Sequence, residues 1–161
     1  MSQPEVALRD ATWAEARQVW SWNNAPDVRR ASLDSEPIAL EDHERWYRAK
    51  LGDAAYHIWI ARADGDDVGV VRVEENRQGV GVVSIALDAS ARGRGLGRRA
   101  LAGACRAYFQ RRPGGALEAW IHDANEASLR CFERCGFARA RTDLRGGRIF
   151  VMYRLQEEPT G

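Results

Sequence analysis

The spacing of apolar residues changes twice along the chain. Up to residue 51 they recur mostly at helical intervals, from 56 to 87 they approach strict alternation, and beyond 95 helical and extended stretches take turns. Val6 and Leu8 predict a short first strand over 5–9. Thr12 followed by Glu15 is a capping-box pattern that starts a helix, with Trp13, Ala16, Trp20 and Asn23 on one face. Pro26 is expected to end that helix, and 27–39 reads as a loop. A second helix is predicted over Leu40–Leu51, with His43, Trp46, Tyr47 and Lys50 along one stripe. Three β-rich runs, 56–62, 68–74 and 80–87, are separated by Ala63-Asp64-Gly65-Asp66 and Asn76-Arg77-Gln78-Gly79, which predicts an antiparallel meander. A helix over 95–111, a strand over 117–121, a helix over 125–135 and two closing strands near 137–142 and 148–155 make the second half an α/β crossover unit. Residues 1–156 are expected to be one domain, with 157–161 a disordered tail.

Composition narrows the class. The chain has 161 residues, 45% of them hydrophobic, and a formal net charge of +1. No apolar run approaches the ~18 residues of a membrane helix. The first residues, Met1-Ser2-Gln3-Pro4-Glu5, lack the basic and apolar regions of a secretory signal, so a soluble cytoplasmic protein is expected. Cys105, Cys131 and Cys135 contain no C-x-x-C and fall in helical stretches, which argues against disulfides and against a metal site. The near-neutral charge disfavours a nucleic-acid partner.

The run Arg92-Gly93-Arg94-Gly95-Leu96-Gly97-Arg98 lies between a strand and a helix start. Alternating glycines let successive backbone N–H groups converge on one point, and the new helix directs its positive end there, a combination suited to pyrophosphate. Arg92, Arg94 and Arg98 can add charge-assisted bonds. A Walker loop is excluded because Arg98-Arg99 stands where Lys-Ser/Thr is required. A dinucleotide fingerprint would need its third glycine at Arg98.

Downstream runs Asn125-Glu126-Ala127-Ser128-Leu129-Arg130-Cys131-Phe132-Glu133-Arg134-Cys135-Gly136-Phe137. The Arg92–Gly97 loop followed by this Asn-x-x-Ser-x-x-x-Phe-x-x-x-Gly-Phe segment resembles the GNAT acetyltransferase superfamily, and the order of elements agrees over nearly the whole chain. The resemblance implies an α/β (α+β) fold, with a mixed, mostly antiparallel sheet of six to seven strands, about four flanking helices, and a splayed central parallel pair. It implies an acyltransferase using acetyl-CoA and acting by direct transfer through a ternary complex. Ile85 and Leu87 would offer backbone hydrogen bonds to the pantetheine arm. Asn125 and Ser128 would lie beside that arm, and Arg92 to Arg98 would hold the diphosphate. Asn125 also reads as a plain helix N-cap.

Two positions depart from the family pattern. Where many members carry a tyrosine acid this chain has Phe132, which either walls the thioester pocket or is an ordinary core aromatic. Where many carry a glutamate base it has Val82. His43, Glu74 and a water held by Ser84 remain as candidates for the proton-handling role; the alternatives are a half-buried amphipathic histidine and a solvated strand end. Without a strong base a low-pKa amine is favoured. Deprotonating a lysine-like amine at pH 7 costs about 4 to 5 kcal/mol, against about 1 to 1.5 kcal/mol for an α-amine.

The segment Trp20-Ser21-Trp22-Asn23-Asn24-Ala25-Pro26-Asp27-Val28-Arg29-Arg30, then Ser32, Pro37-Ile38, Glu41-Asp42-His43 and Trp46, resembles the entry segment of GNAT enzymes that acetylate nucleotide-linked amino sugars, nearest the pseudaminic acid pathway N-acetyltransferases. That likeness implies the 4-amino group of a UDP-linked deoxy-amino sugar as acceptor, with Trp22, Asn24, Arg29, His43, Trp46 and Arg72 on the substrate side. Ribosomal-protein N-terminal and aminoglycoside acetyltransferases share parts of the segment. A non-catalytic acyl-CoA sensor is the alternative of another class. A small-molecule amine partner and a monomer or homodimer are expected.

Overall fold

The computed structural model describes residues 4–158. Seven strands form one sheet in the order β1-β2-β3-β4-β5-β7-β6. They are β1 (Val6–Asp10), β2 (Tyr56–Ala63), β3 (Asp66–Glu75), β4 (Gly81–Leu87), β5 (Ala116–His122), β6 (Ala138–Arg145) and β7 (Arg148–Gln156). Every pairing is antiparallel except β4 with β5. Five α-helices accompany the sheet: α1 (Ala16–Asn23), α2 (Pro26–Ala31), α3 (Leu40–Leu51), α4 (Leu96–Arg111) and α5 (Glu126–Arg134).

Alternation along the strands divides the core in two, because side chains at odd and even positions leave opposite faces. One face packs under α4 and α5, where Val71, Val73, Val83, Leu101, Tyr108 and Leu117 are buried. The other packs under α1 and α3, where Val19, Trp22, Tyr47, Ile60, Val70 and Ala86 are buried. No helix among the described residues is long and apolar enough to cross a membrane.

Two expectations are corrected. Pro26 does not end a helix and open a loop but begins a helix: it occupies the first turn of α2, where its missing N–H has no intrahelical acceptor to lose. The buried face of the first helix is Ala16, Val19 and Trp22, whereas Trp13 is 41% exposed. The reason is local. Thr12 and Glu15 do form a capping box, but they close a 3₁₀ turn over Trp13–Glu15, so α-helical phasing starts only at Ala16. The chain end is tied back at Glu157, whose N–H donates to the Gly115 carbonyl (3.1 Å) and whose Oε1 accepts from the Gly114 N–H (3.0 Å). The remainder of the expected tail, 159–161, lies outside the described residues.

Candidate active site

The glycine-arginine loop connects β4 to α4. Gly93 and Gly95 adopt left-handed backbone conformations, φ 74° and 73°, and a Cβ built on either meets nothing within 4 Å. Left-handed glycines at alternate positions are what a backbone anion nest requires, and the loop face above them is open. Gly95 caps the 16-residue helix α4, whose first N–H groups have no intrahelical acceptors. Gly97 serves packing: a Cβ there would sit 3.1 Å from Leu87 Cδ1. The residues present therefore fit a diphosphate. The flanking arginines are not equally free. Arg92 pairs with Asp27 of α2 and donates to the Leu87 carbonyl (3.2 Å), while Arg94 lies 3.6 Å from Asp64. Arg98 is exposed, and its carbonyl accepts from the Cys135 thiol (3.4 Å).

Beside this loop the sheet opens. The parallel pairing of β4 and β5 comprises only Gly81 with Leu117 and Val82 with Glu118, so from Val83 to Leu87, including Ile85 and Leu87, β4 has no strand partner on that side. Unpaired strand backbone of this kind can receive an extended amide-containing arm. Beyond β5, Asn125 Oδ1 accepts from the Ser128 N–H (3.3 Å) and caps α5. Phe132 is 3% exposed and packs edge-to-face on Phe137, with centroids 5.0 Å apart, so it is a core aromatic.

On the α1–α3 face lies a cavity of about 410 Å³, within the size range of small-molecule sites. Arg29, His43, Trp46, Arg72, Ser84 and Ile85, six of the residues singled out from sequence, line it together. Cross-strand register explains part of the convergence: Ser84 and Ile58 both stand opposite Arg72. The Arg72 guanidinium stacks over Trp46 at 5.0 Å. Helix α2 brings Arg29, and α3 brings His43 and Trp46. Another recess, of about 420 Å³, lies between β1 and α4 near Leu8, Trp59 and Arg106, away from all of these residues.

His43 is buried, and its Nε2 lies 2.8 Å from the Ala16 carbonyl. A carbonyl only accepts, so Nε2 carries the proton and Nδ1 is left as the basic nitrogen. Burial, with the Arg72 charge adding, holds the imidazole below its usual pKa and so neutral near pH 7. Glu74 is exposed and outside the cavity lining, yet it stands directly opposite Val82 in the β3–β4 register, on the same sheet face. Burial, with the Glu74 carboxylate adding, pushes the Tyr56 hydroxyl well above the usual phenol range.

Two substrate-side candidates sit elsewhere. Trp22 is 3% exposed, and its Nε1 donates to Asp88 Oδ2 (3.0 Å). Asn24 Oδ1 accepts from the Ile38 N–H (2.8 Å), holding the segment after α2 against α1. Ser32, Asp34 and Asp42 also line the cavity; Ser32 and Asp42 stand in the entry segment that carries the family resemblance but have no site role read from sequence, and Asp34 is not singled out there. They come from what reads as loop or as the polar first turn of α3, and no spacing marks them. The Asp27–Arg92 pair, 65 residues apart, also left no local signal.

Residues 5–138 match the family described as Acetyltransferase (GNAT) domain. No curated protein matches the chain in sequence. Among solved structures, the chain is similar to spermidine N-acetyltransferase from Vibrio cholerae in complex with CoA and spermine, with TM-score 0.85 and 15% identity, covering 94% of this chain and 95% of that one. The aminoglycoside acetyltransferase AAC(6')-Ib in complex with coenzyme A superposes with TM-score 0.80 at 20% identity, covering 94% and 95%. An N-acetyltransferase from Staphylococcus aureus Mu50 superposes with TM-score 0.79 at 21% identity, covering 94% and 98%. At such identities these structures speak to the fold, whereas the family match spans most of the sequence. Together with a sheet whose one parallel pair parts after two residues, that match means that this chain belongs to the GNAT acetyltransferase family and is an acetyl-CoA-dependent N-acetyltransferase.

Proposed function

We propose that this chain acetylates the primary amine of a nucleotide-linked amino sugar, with the 4-amino group of a UDP-linked deoxy sugar as acceptor, bound in the cavity between α2, α3 and β3–β4. The observation that carries this reading is the meeting of Arg29, Arg72, Trp46 and His43 in one cavity that also touches Ser84 and Ile85, at the unpaired stretch of β4. Acetyl-CoA supplies an activated thioester. Gly93 to Gly97 and the start of α4 would hold its diphosphate, and the unpaired β4 backbone with Asn125 would flank its pantetheine arm. On the acceptor side Nδ1 of His43 would take the ammonium proton, directly or through a water at Ser84. A base held below its usual pKa suits an amine that itself titrates well below lysine, as a ring amine flanked by electron-withdrawing oxygens does.

A second reading, an aminoglycoside acceptor, is favoured by Asp34 and Asp42 in the cavity lining. The two separate in a thiol-release assay with acetyl-CoA. Turnover of a UDP-4-amino sugar with none of kanamycin is expected. Turnover of kanamycin or of a ribosomal-protein N-terminal peptide, with none of the sugar nucleotide, overturns the acceptor assignment. Tight acetyl-CoA binding with no turnover on any amine would make the chain a sensor.

A further inference from the structure

Among the arginines with buried or half-buried side chains, two stand apart. Arg9 pairs with Glu15 and Asp67, and Arg154 with Glu118. Arg148, beside the acceptor cavity, donates to the carbonyls of Arg30, Ser32 and Leu33. Arg72 makes no hydrogen bond and no ion pair with any described residue; its guanidinium stacks over the face of Trp46, which leaves its N–H donors without a protein acceptor. Arg29 spends one donor on the Glu36 carbonyl (3.2 Å), while its Nε is buried and has no partner. Neither has a carboxylate within ion-pair distance among the described residues. Both line the same cavity, whose lining also includes Asp34 and Asp42, and each guanidinium is disfavoured by burial; Asp34 offsets part of that at Arg29, while at Arg72 Tyr56 and Glu74 act against it and the charge of Arg29 adds to it.

Two like charges in a partly desolvated pocket with unfilled donors are costly, and an arginine does not relieve that cost by losing its proton. A bound oxyanion removes the cost on both sides at once. We propose that Arg29 and Arg72 are a recognition pair for a phosphate carried by the acceptor, so that the cavity selects phosphorylated amines over neutral and polycationic ones. Phosphate is favoured over carboxylate because donors arriving from two elements, α2 and β3, can each engage different oxygens of a tetrahedral group. Trp46, already stacked on Arg72, keeps the fork oriented. The proposal rests on the acetyl-transfer reading of the same site, but its first test needs no turnover.

UDP and inorganic phosphate serve as binding probes, titrated calorimetrically into the CoA-bound protein. UDP is expected to bind, and Arg72→Met and Arg29→Met are each expected to weaken it at least tenfold while acetyl-CoA affinity changes less than twofold. Arg72→Lys, which keeps the charge but loses the fork, should recover part of the affinity and guards against a folding defect in the methionine variant. In turnover, glucosamine 1-phosphate should exceed glucosamine and kanamycin at least tenfold in kcat/KM, and Arg72→Met should erase that preference. UDP binding that is absent or insensitive to both substitutions overturns the pair, as does malonate displacing UDP at lower concentration than inorganic phosphate. Failure to acetylate any amine, with UDP binding still dependent on both arginines, leaves the pair standing and defeats the acetyl-transfer reading alone.

Discussion

The two sides of β4 are built differently. On the side of α4 the loop is made from one stretch of eight residues, and its shape follows from where glycine stands: Gly93 and Gly95 are left-handed and unobstructed, and Gly97 lets α4 close on Leu87. On the side of α3 the cavity is assembled from α2, α3, β3, β4 and the segment between α2 and α3. That segment is held by single side chains: Asn24 to the Ile38 N–H, Trp20 Nε1 to the Ile38 carbonyl (2.8 Å), Arg29 to Glu36, and Arg148 to three carbonyls at the end of α2. The first construction, which on the proposed reading holds the diphosphate of acetyl-CoA, depends on backbone. The second depends on side-chain clasps and can be altered one residue at a time.

If that contrast is right, the largest effect belongs to the loop. Gly95→Val forces a β-branched residue to positive φ, a strain of about 1–3 kcal/mol, and disorganises donors worth about 1.5–3 kcal/mol each to a charged group. Acetyl-CoA affinity measured by calorimetry should fall about 100-fold or more while the circular dichroism spectrum is retained, because no neighbour is displaced. Near-native affinity would break the comparison at its stronger side.

A smaller and selective effect is expected from Asn24→Ala. It removes the acceptor of the Ile38 N–H, at a cost of about 1 kcal/mol, so hydrogen exchange over 32–39 should quicken several-fold and acetyl-CoA affinity should not move. Equal loosening of the Arg92–Gly97 loop would show the two sides to be one unit.

The smallest effect is electrostatic. The folded pKa of His43 lies below its unfolded value, so the unfolded chain takes up its proton first as pH falls; stability is full above about pH 6.5 and declines as pH drops towards the folded value. His57, also held low by burial, contributes in the same sense. His43→Gln should flatten the dependence of Tm on pH between about 6.5 and 5 without abolishing it. An unchanged slope would mean that His43 is not buried as a neutral base.

The same contrast explains what could be read in advance. The meander of β2, β3 and β4, the helix after the glycine loop and the capped α5 follow from short-range periods and caps, and their predicted bounds lie within one or two residues of those observed. The faces of α1 and the start of α2 were misread where a 3₁₀ turn shifted the phase and where proline, a breaker within a helix, opened one instead. Arg29, His43, Trp46 and Arg72 were picked out by residue type, but nothing local distinguished them from Trp22 and Asn24, which turn to Asp88 and Ile38.

By itself the sequence determined the loop, because left-handed backbone and a helix start are properties of residues within a few positions of one another. Apart from α2, it also determined the order of strands and helices, for the same short-range reason. Only tertiary structure decided which side chains line the cavity on the α1–α3 face, that β4 and β5 part after Val82, and that Arg29 and Arg72 share that cavity with no carboxylate within ion-pair distance of either among the described residues. Those outcomes depend on packing between elements far apart in the chain, such as Val82 of β4 and Glu118 of β5, where contact is set by sheet register and helix docking and leaves no trace in local spacing.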